Sequence, residues 1–269
     1  MIIITENERI DINDYGMRVL RAPIPSPALE HKTEQVDWMD GEVYLGSRYT
    51  TRVISAEIAM RSTSHKKIKE LKVIFRRLFA RKEEFYVMFK NDTMRRYRVV
   101  LNNQPDWTDI GVHLTSTTVE LRMCSVFAEA PGTTLTLEPD LHYYQAGEGE
   151  IDTSDPPVQY IFDQTTFSVF NDSDITIEPE NKEIRIELQG MLINPIIRNL
   201  TTGDEWSWSG TASSADIILL DGVRSFKNDV SIFKETNKNV ISLLPGWNDF
   251  QITGAADFLI KFDFRMYYV

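Results

Sequence analysis

Cysteine, histidine and long apolar runs are what this sequence has least of. Cys124 is the only cysteine among 269 residues, so no intramolecular disulfide can form and nothing points to an oxidising compartment. A Cys/His zinc site cannot be assembled at any usual spacing. The four histidines, His31, His65, His113 and His142, are scattered, and none follows Pro156. No segment approaches the ~20 apolar residues of a membrane span, so no membrane insertion is expected. The opening Met1-Ile2-Ile3-Ile4-Thr5-Glu6 is far shorter than a secretory apolar region and lacks a basic lead, which predicts folding in the cytoplasm of the cell that makes the chain. Also absent are G-x-S-x-G, H-E-x-x-H, Walker A and Rossmann fingerprints. The expectation is a protein with no catalytic residues, no cofactor and no metal.

What is present is an ordinary globular composition, 42% hydrophobic and 26% charged, in a chain long enough to bury its core without disulfides or metal. Its length predicts two domains. Charge divides the same way. Residues 1–130 hold 20 Lys+Arg against 18 Asp+Glu, whereas residues 131–269 hold 9 against 22. A near-neutral half followed by an acidic one suggests two modules with separate partners. The acidic half would be repelled by nucleic acid phosphates.

In the first half, Arg9–Asn13 alternates as a short strand, Asp14-Tyr15-Gly16 turns it, and Met17–Leu20 extends again. Pro23, Pro25 and Pro27 exclude regular structure and mark an extended arm. Asp40-Gly41, between Val36/Trp38 and Val43-Tyr44-Leu45, is a hairpin signal. Arg52–Met60 places Ile54, Ala56, Ile58 and Met60 on one strand face. Between His65 and Lys82, Ile68, Leu71, Ile74, Phe75, Leu78 and Phe79 recur at helical spacing, opposite a face rich in lysine and arginine. Ser62, Thr63 or Ser64 is its N-cap. Strands are expected at Glu84–Phe89, Tyr97–Leu101 and Leu114–Phe127, the last carrying Cys124 as a small buried hydrophobe.

Pro131–Pro157, with Gly147, Gly149 and many acids, reads as a linker. Beyond it, strands are expected at Thr166–Phe170, Asp174–Ile177, Glu183–Leu188, Ile193–Ile197, Ile217–Leu220, Val240–Leu243 and Phe258–Phe264. Thr202-Gly203-Asp204, Asp221-Gly222 and Pro245-Gly246 turn between them. The predicted architecture is mainly β with one helix. An α+β domain over 1–131 (a β-sandwich plus helix and β-hairpin) leads through a linker, 132–156, to a second β-sandwich over 157–269.

Three constellations admit a chemical reading. Asp152, Asp155 and Asp163, or Asp172 and Asp174, are solvated loop acids on the simpler view, and calcium ligands or a glycosidase carboxylate pair on the other. The basic helix face is a solvated side, a protein interface or a phosphate contact, and no aromatic residue interleaves with its cations as single-strand binding would need. Trp206, Trp208 and Trp247 are packed in a core or form a sugar-stacking platform. Trp206 and Trp208 share one strand face.

Ile10-Asp11-Ile12-Asn13-Asp14-Tyr15-Gly16-Met17-Arg18-Val19-Leu20, then the proline arm, Asp40-Gly41 and Gly46-Ser47-Arg48-Tyr49, resemble the opening of siphophage distal tail proteins. Three later blocks are similar to that family's C-terminal module. They are Phe167–Ile177 with Asn171, Gly190–Gly203 with Asn194-Pro195 and Asn199-Leu200-Thr201-Thr202-Gly203, and Leu244-Pro245-Gly246-Trp247-Asn248. The resemblance implies a homohexameric ring built by the first domains in the virion tail tip or baseplate, assembled in the bacterial host cytoplasm. The tail-tube protein would lie above it and the tail-tip or tail-associated protein below. The second domain would be a galectin-like β-sandwich able to hold receptor-binding or baseplate proteins, and DNA would only pass through the lumen. Galectin-like sugar sites use a histidine, which the β-rich module lacks, and no large carbohydrate-binding insertion is present. Two other readings stand beside this one: a lectin-like protein recognising host cell-wall glycans, and a hydrolase using loop carboxylates.

Overall fold

The computed structural model describes residues 1–6, 8–110, 113–136 and 158–269. It divides into two units, Met1–Glu129 and Ala130–Tyr268. Of the linker expected over 132–156, residues 137–156 lie outside the described residues. Thr134 belongs to the second unit, where its buried hydroxyl donates to the Phe262 carbonyl at 2.7 Å.

In the first unit, β1 (Ile2–Ile4), β2 (Arg9–Asp11), β3 (Met17–Arg21), a hairpin of β4 (Leu29–Glu34) and β5 (Val43–Tyr49), and β6 (Val53–Arg61) precede the helix α1 (His65–Phe79). After it come β7 (Phe85–Phe89), β8 (Asp92–Leu101), β9 (Trp107–Asp109), β10 (Leu114–Met123) and β11 (Ala128–Glu129). The main sheet runs in the order β2-β1-β7-β8-β10-β6-β3. Ile54, Ala56, Ile58 and Met60 are all buried along β6, as their alternation requires. The first strand-like run stops at Asp11, because that carboxylate accepts the Asn13 N–H at 3.0 Å and caps a 3-10 turn over Ile12–Tyr15.

Ser64 is the helix cap, accepting from the Lys67 N–H at 3.4 Å. Ile68, Leu71, Phe75, Leu78 and Phe79 are buried, while Ile74 at the edge of the stripe is only half-buried. Phe75 meets the Trp107 ring at 4.9 Å and Phe79 meets Phe85 at 6.4 Å, which seats the apolar stripe on sheet side chains. The helix ends at Phe79, three residues short of Lys82. Arg81 turns back there, its Nε donating to the Leu78 carbonyl at 3.0 Å.

Cys124 contradicts its expected burial: it is exposed. The strand around it stops at Met123, and with Leu121 and Met123 pointing inward, period 2 turns the next side chain out.

The second unit holds β12 (Ile161–Phe162), β13 (Thr166–Asn171), β14 (Ile184–Asn199), β15 (Glu205–Ser207), β16 (Thr211–Ala212), β17 (Ile217–Asp221), β18 (Arg224–Lys227), β19 (Val230–Ser231) and β20 (Gly246–Phe264). The two expected runs Glu183–Leu188 and Ile193–Ile197 are one strand, β14, paired to β20 from Ile184↔Phe264 to Asn199↔Phe250. Gly190 and Pro195 bend this strand without ending it, because bulges between Gln189/Met191 and Leu192/Ile196 carry the extra residues. At the second bulge Gly254 (φ +73) lies so close to the opposite strand that a Cβ there would meet the Ile193 carbonyl oxygen at 2.5 Å. The bends let two long strands serve both ends of the unit: β17 flanks the first part of β14, and β15 and β16 flank its second. Asp174–Ile177 and Val240–Leu243 are not strands. They meet only at the bridge Ile177↔Leu243.

Three buried asparagines explain the sequence blocks around them. Asn171 Nδ2 donates to the carbonyls of Leu243 and Leu244 at 3.1 and 3.2 Å. Asn199 Nδ2 donates to the Ser242 carbonyl at 2.8 Å and to Asn248 Oδ1 at 3.2 Å. Asn248 accepts from the Leu244 N–H at 2.9 Å and returns a bond to the Leu244 carbonyl at 2.8 Å. Blocks separated by up to 77 positions thus close on one loop, Ser242–Gly246, and satisfy backbone groups there that no strand ladder pairs.

Candidate assembly surfaces

The proline-rich stretch and the hairpin after it build the most exposed element of the first unit. Three prolines between Ala22 and Ala28 keep that segment out of any ladder. The chain then pairs Leu29↔Tyr49, Glu30↔Arg48 and His31↔Ser47, shifts register between Lys32 and Thr33, and resumes at Thr33↔Tyr44 and Glu34↔Val43. The partner of Val43 is therefore Glu34, not the expected Val36/Trp38 run. Residues 36–39 form the turn instead: the Met39 N–H donates to the Val36 carbonyl at 3.2 Å, and Trp38 takes φ 71.

These two strands form a sheet of their own. An isolated hairpin is marginal in water, and the stabilising contacts here are modest. Arg48 Nε donates to Glu30 Oε2 at 2.7 Å between exposed side chains, and the His31 and Tyr44 rings lie 5.9 Å apart. Among its charged residues the arm displays many large apolar ones. Leu29, Val36, Met39, Tyr44, Leu45 and Tyr49 are exposed, and Trp38 is fully exposed at 105%. So much apolar surface on a slender element is the mark of an interaction site. The Asp40-Gly41 signal revealed the hairpin but not that both of its faces lack a core.

The outward face of α1 is the second surface. Lys66, Lys67, Lys69, Arg76 and Arg77 are exposed around Val73, itself 44% exposed. Lys72 is drawn aside, with Nζ 3.6 Å from Asp109 and 5.2 Å above the Trp107 ring.

The second unit offers little to a chemical reading. Trp206 and Trp208 are buried, with Nε1 donating to Ser225 Oγ and to Glu235 Oε2, both at 3.1 Å, so the core reading is the correct one for this pair. Trp247 is half-buried against Phe170, ring centroids 5.0 Å apart. Of the acids, Asp152 and Asp155 lie outside the described residues, as does His142. Asp163 and Asp174 are exposed, and Asp172 accepts from the Tyr268 hydroxyl at 3.3 Å. Among the described residues no group of three or more His, Cys, Asp or Glu side chains is arranged to hold a metal ion.

Comparison with known proteins bears on the first unit by sequence and on the whole chain by fold. Residues 7–123 match the family model of the phage tail protein RIFT-related domain. The Dit protein of phage SPP1, described as a paradigm of the hub adsorption apparatus in phages infecting Gram-positive bacteria, is 12% identical and similar over 98% of both chains, with a TM-score of 0.67. A chain of the phage p2 baseplate in its activated conformation is 11% identical over 98% of this chain and 96% of its own, with a TM-score of 0.47. No curated protein matches the sequence. Residues 7–123 thus resemble the phage tail protein RIFT-related domain, and along its whole length the chain shares the fold of the SPP1 Dit protein.

Proposed function

We propose that this phage tail component forms a homohexameric ring that joins the tail tube above to the tail-tip protein below. The observation that carries the reading is the exposed apolar arm of the first domain, which is costly to leave in water and suited to lie against a neighbouring copy. Head-to-tail contacts between identical subunits close into a ring when the rotation fits. The charge split supports the same arrangement: a near-neutral first half packs against its copies, whereas acidic second halves repel one another. The second domains then hold receptor-binding or baseplate proteins and so serve host adsorption. Duplex DNA passes the lumen without being held, which places the basic face of α1 away from the channel. The ring works by binding alone, without catalysis.

Native mass spectrometry and light scattering of the full chain at several concentrations test this. Hexamers that dissociate on dilution are expected. Monomers throughout, or a stable dimer through the second domain, would overturn the proposal.

A further inference from the structure

One buried cation in the first domain has no carboxylate partner among the described residues. Arg52 lies between the end of the arm and the start of β6, and is 5% exposed. Its backbone carbonyl accepts the Met123 N–H at 2.9 Å, so the residue is anchored in the main sheet. Its guanidinium reaches two backbone carbonyls: Nη1 donates to Pro25 at 3.1 Å and Nη2 donates to Val126. Nε is buried without a partner. Burial draws the pKa of this arginine downward, yet a guanidinium stays charged at any ordinary pH. A buried charge satisfied only by carbonyl dipoles is expensive, and an apolar side chain would fill the same space without that cost.

What the charge accomplishes is visible at the root of the arm. Among the described residues, the bond to Pro25 is the one hydrogen bond made by the segment 22–27, where three prolines have removed the donors a ladder would use. Just beyond, Thr50 donates from both its N–H and its hydroxyl to the Ala28 carbonyl, at 2.8 and 3.2 Å, closing the base of the hairpin. The Tyr49 ring meets Phe127 edge-on at 5.9 Å. Thr50 ties the arm to itself, whereas Arg52 ties the incoming strand to the body of the domain.

We propose that Arg52 is the positioning residue of the arm, its forked guanidinium clamping Pro25 to Val126 and so fixing the direction in which the hairpin leaves the first domain. This rests on reading the hairpin as the assembly arm. A ring closes only if each arm points at the same angle, and a rigid root lowers the entropy lost on docking. The planar fork presents two separate nitrogens at a fixed spacing to the two carbonyls, whereas an ammonium offers its three donors from one freely rotating atom and holds no such spacing.

The test uses the full chain carrying Cys124→Ser, with spin labels on cysteines placed at Asp40 near the arm tip and at Lys69 on the exposed face of α1. Dilution into unlabelled chain restricts double electron–electron resonance to distances within one molecule. With Arg52 present the distance distribution should be narrow. Arg52→Met should broaden it about twofold or more, as a root that opens locally would. Arg52→Lys should broaden it as well, and carries the test if the methionine variant does not fold. A distribution as narrow as wild type in a folded variant would overturn the proposal. So would failure of both variants to fold, because the guanidinium would then hold the domain rather than the arm. Trp38→Gly separates this from the assembly reading: it leaves the arm direction intact, so undiminished hexamers in that variant would refute the arm's role while the Arg52 result stands by itself.

Discussion

Trp38 should act on assembly and on folding with opposite signs. In the single chain its side chain is fully exposed and touches nothing that stabilises the fold. Its backbone sits at φ 71, a conformation that costs a bulky residue about 1 kcal/mol and glycine almost nothing. Trp38→Gly should therefore leave the melting temperature unchanged or slightly raised, by no more than about 1 kcal/mol of stability. Between subunits the balance reverses. A tryptophan buried at a contact is commonly worth about 2 kcal/mol or more, which is roughly thirtyfold in each pairwise constant. In a closed ring every subunit loses that contact, so the concentration for half-assembly should rise by at least about thirtyfold. Sedimentation velocity across a dilution series, with thermal melts of the same samples, reads both effects. An unchanged assembly midpoint would refute the arm as an interface, and a lower melting temperature would show that Trp38 is packed within its own chain.

Leu71→Asp would bury a carboxylate under α1 and should cost several kcal/mol in circular dichroism melts, whereas Lys69→Ser should be nearly neutral. Asn199→Ala strands the Thr201 N–H, the Ser242 carbonyl and part of Asn248, and should lose about 2–3 kcal/mol in urea titrations. Burial works to raise the pKa of Asp11, but the Lys90 ammonium at 2.6 Å and the bonds from Asn13 outweigh it and hold the carboxyl at about 2, below its ordinary 3.8. Because the folded value is the lower one, this stabilisation is complete above the unfolded pKa and disappears as pH falls from about 4 toward 2. Asp11→Asn should flatten the stability profile in that window, and an unchanged profile would mean the ion pair contributes nothing.

Sequence by itself determined the features that depend on local periodicity and local turn chemistry. The stripe from Ile68 to Phe79 could bury itself only as a helix, and Ile54 to Met60 only as a strand, because the two repeats place apolar groups on one side of different backbones. Pro23, Pro25 and Pro27 excluded a ladder whatever surrounded them. Order of motifs along the chain was enough to suggest a distal tail protein. Tertiary structure alone decided what depends on neighbours distant in sequence. Glycine and proline at Gly190 and Pro195 look like strand ends, yet pairing with β20 carries the chain through both as bulges. Asn171, Asn199 and Asn248 each look like ordinary turn residues, and only folding shows that they close on one loop. Burial of Cys124 hung on which face of its strand turned to the core, and exposure of the hairpin on whether any core lay beneath it. Arg52 left no local signal, because its partners stand 27 and 74 residues away and are carbonyls that every residue possesses. Side-chain period is a property of one segment, whereas burial is a property of everything packed against it.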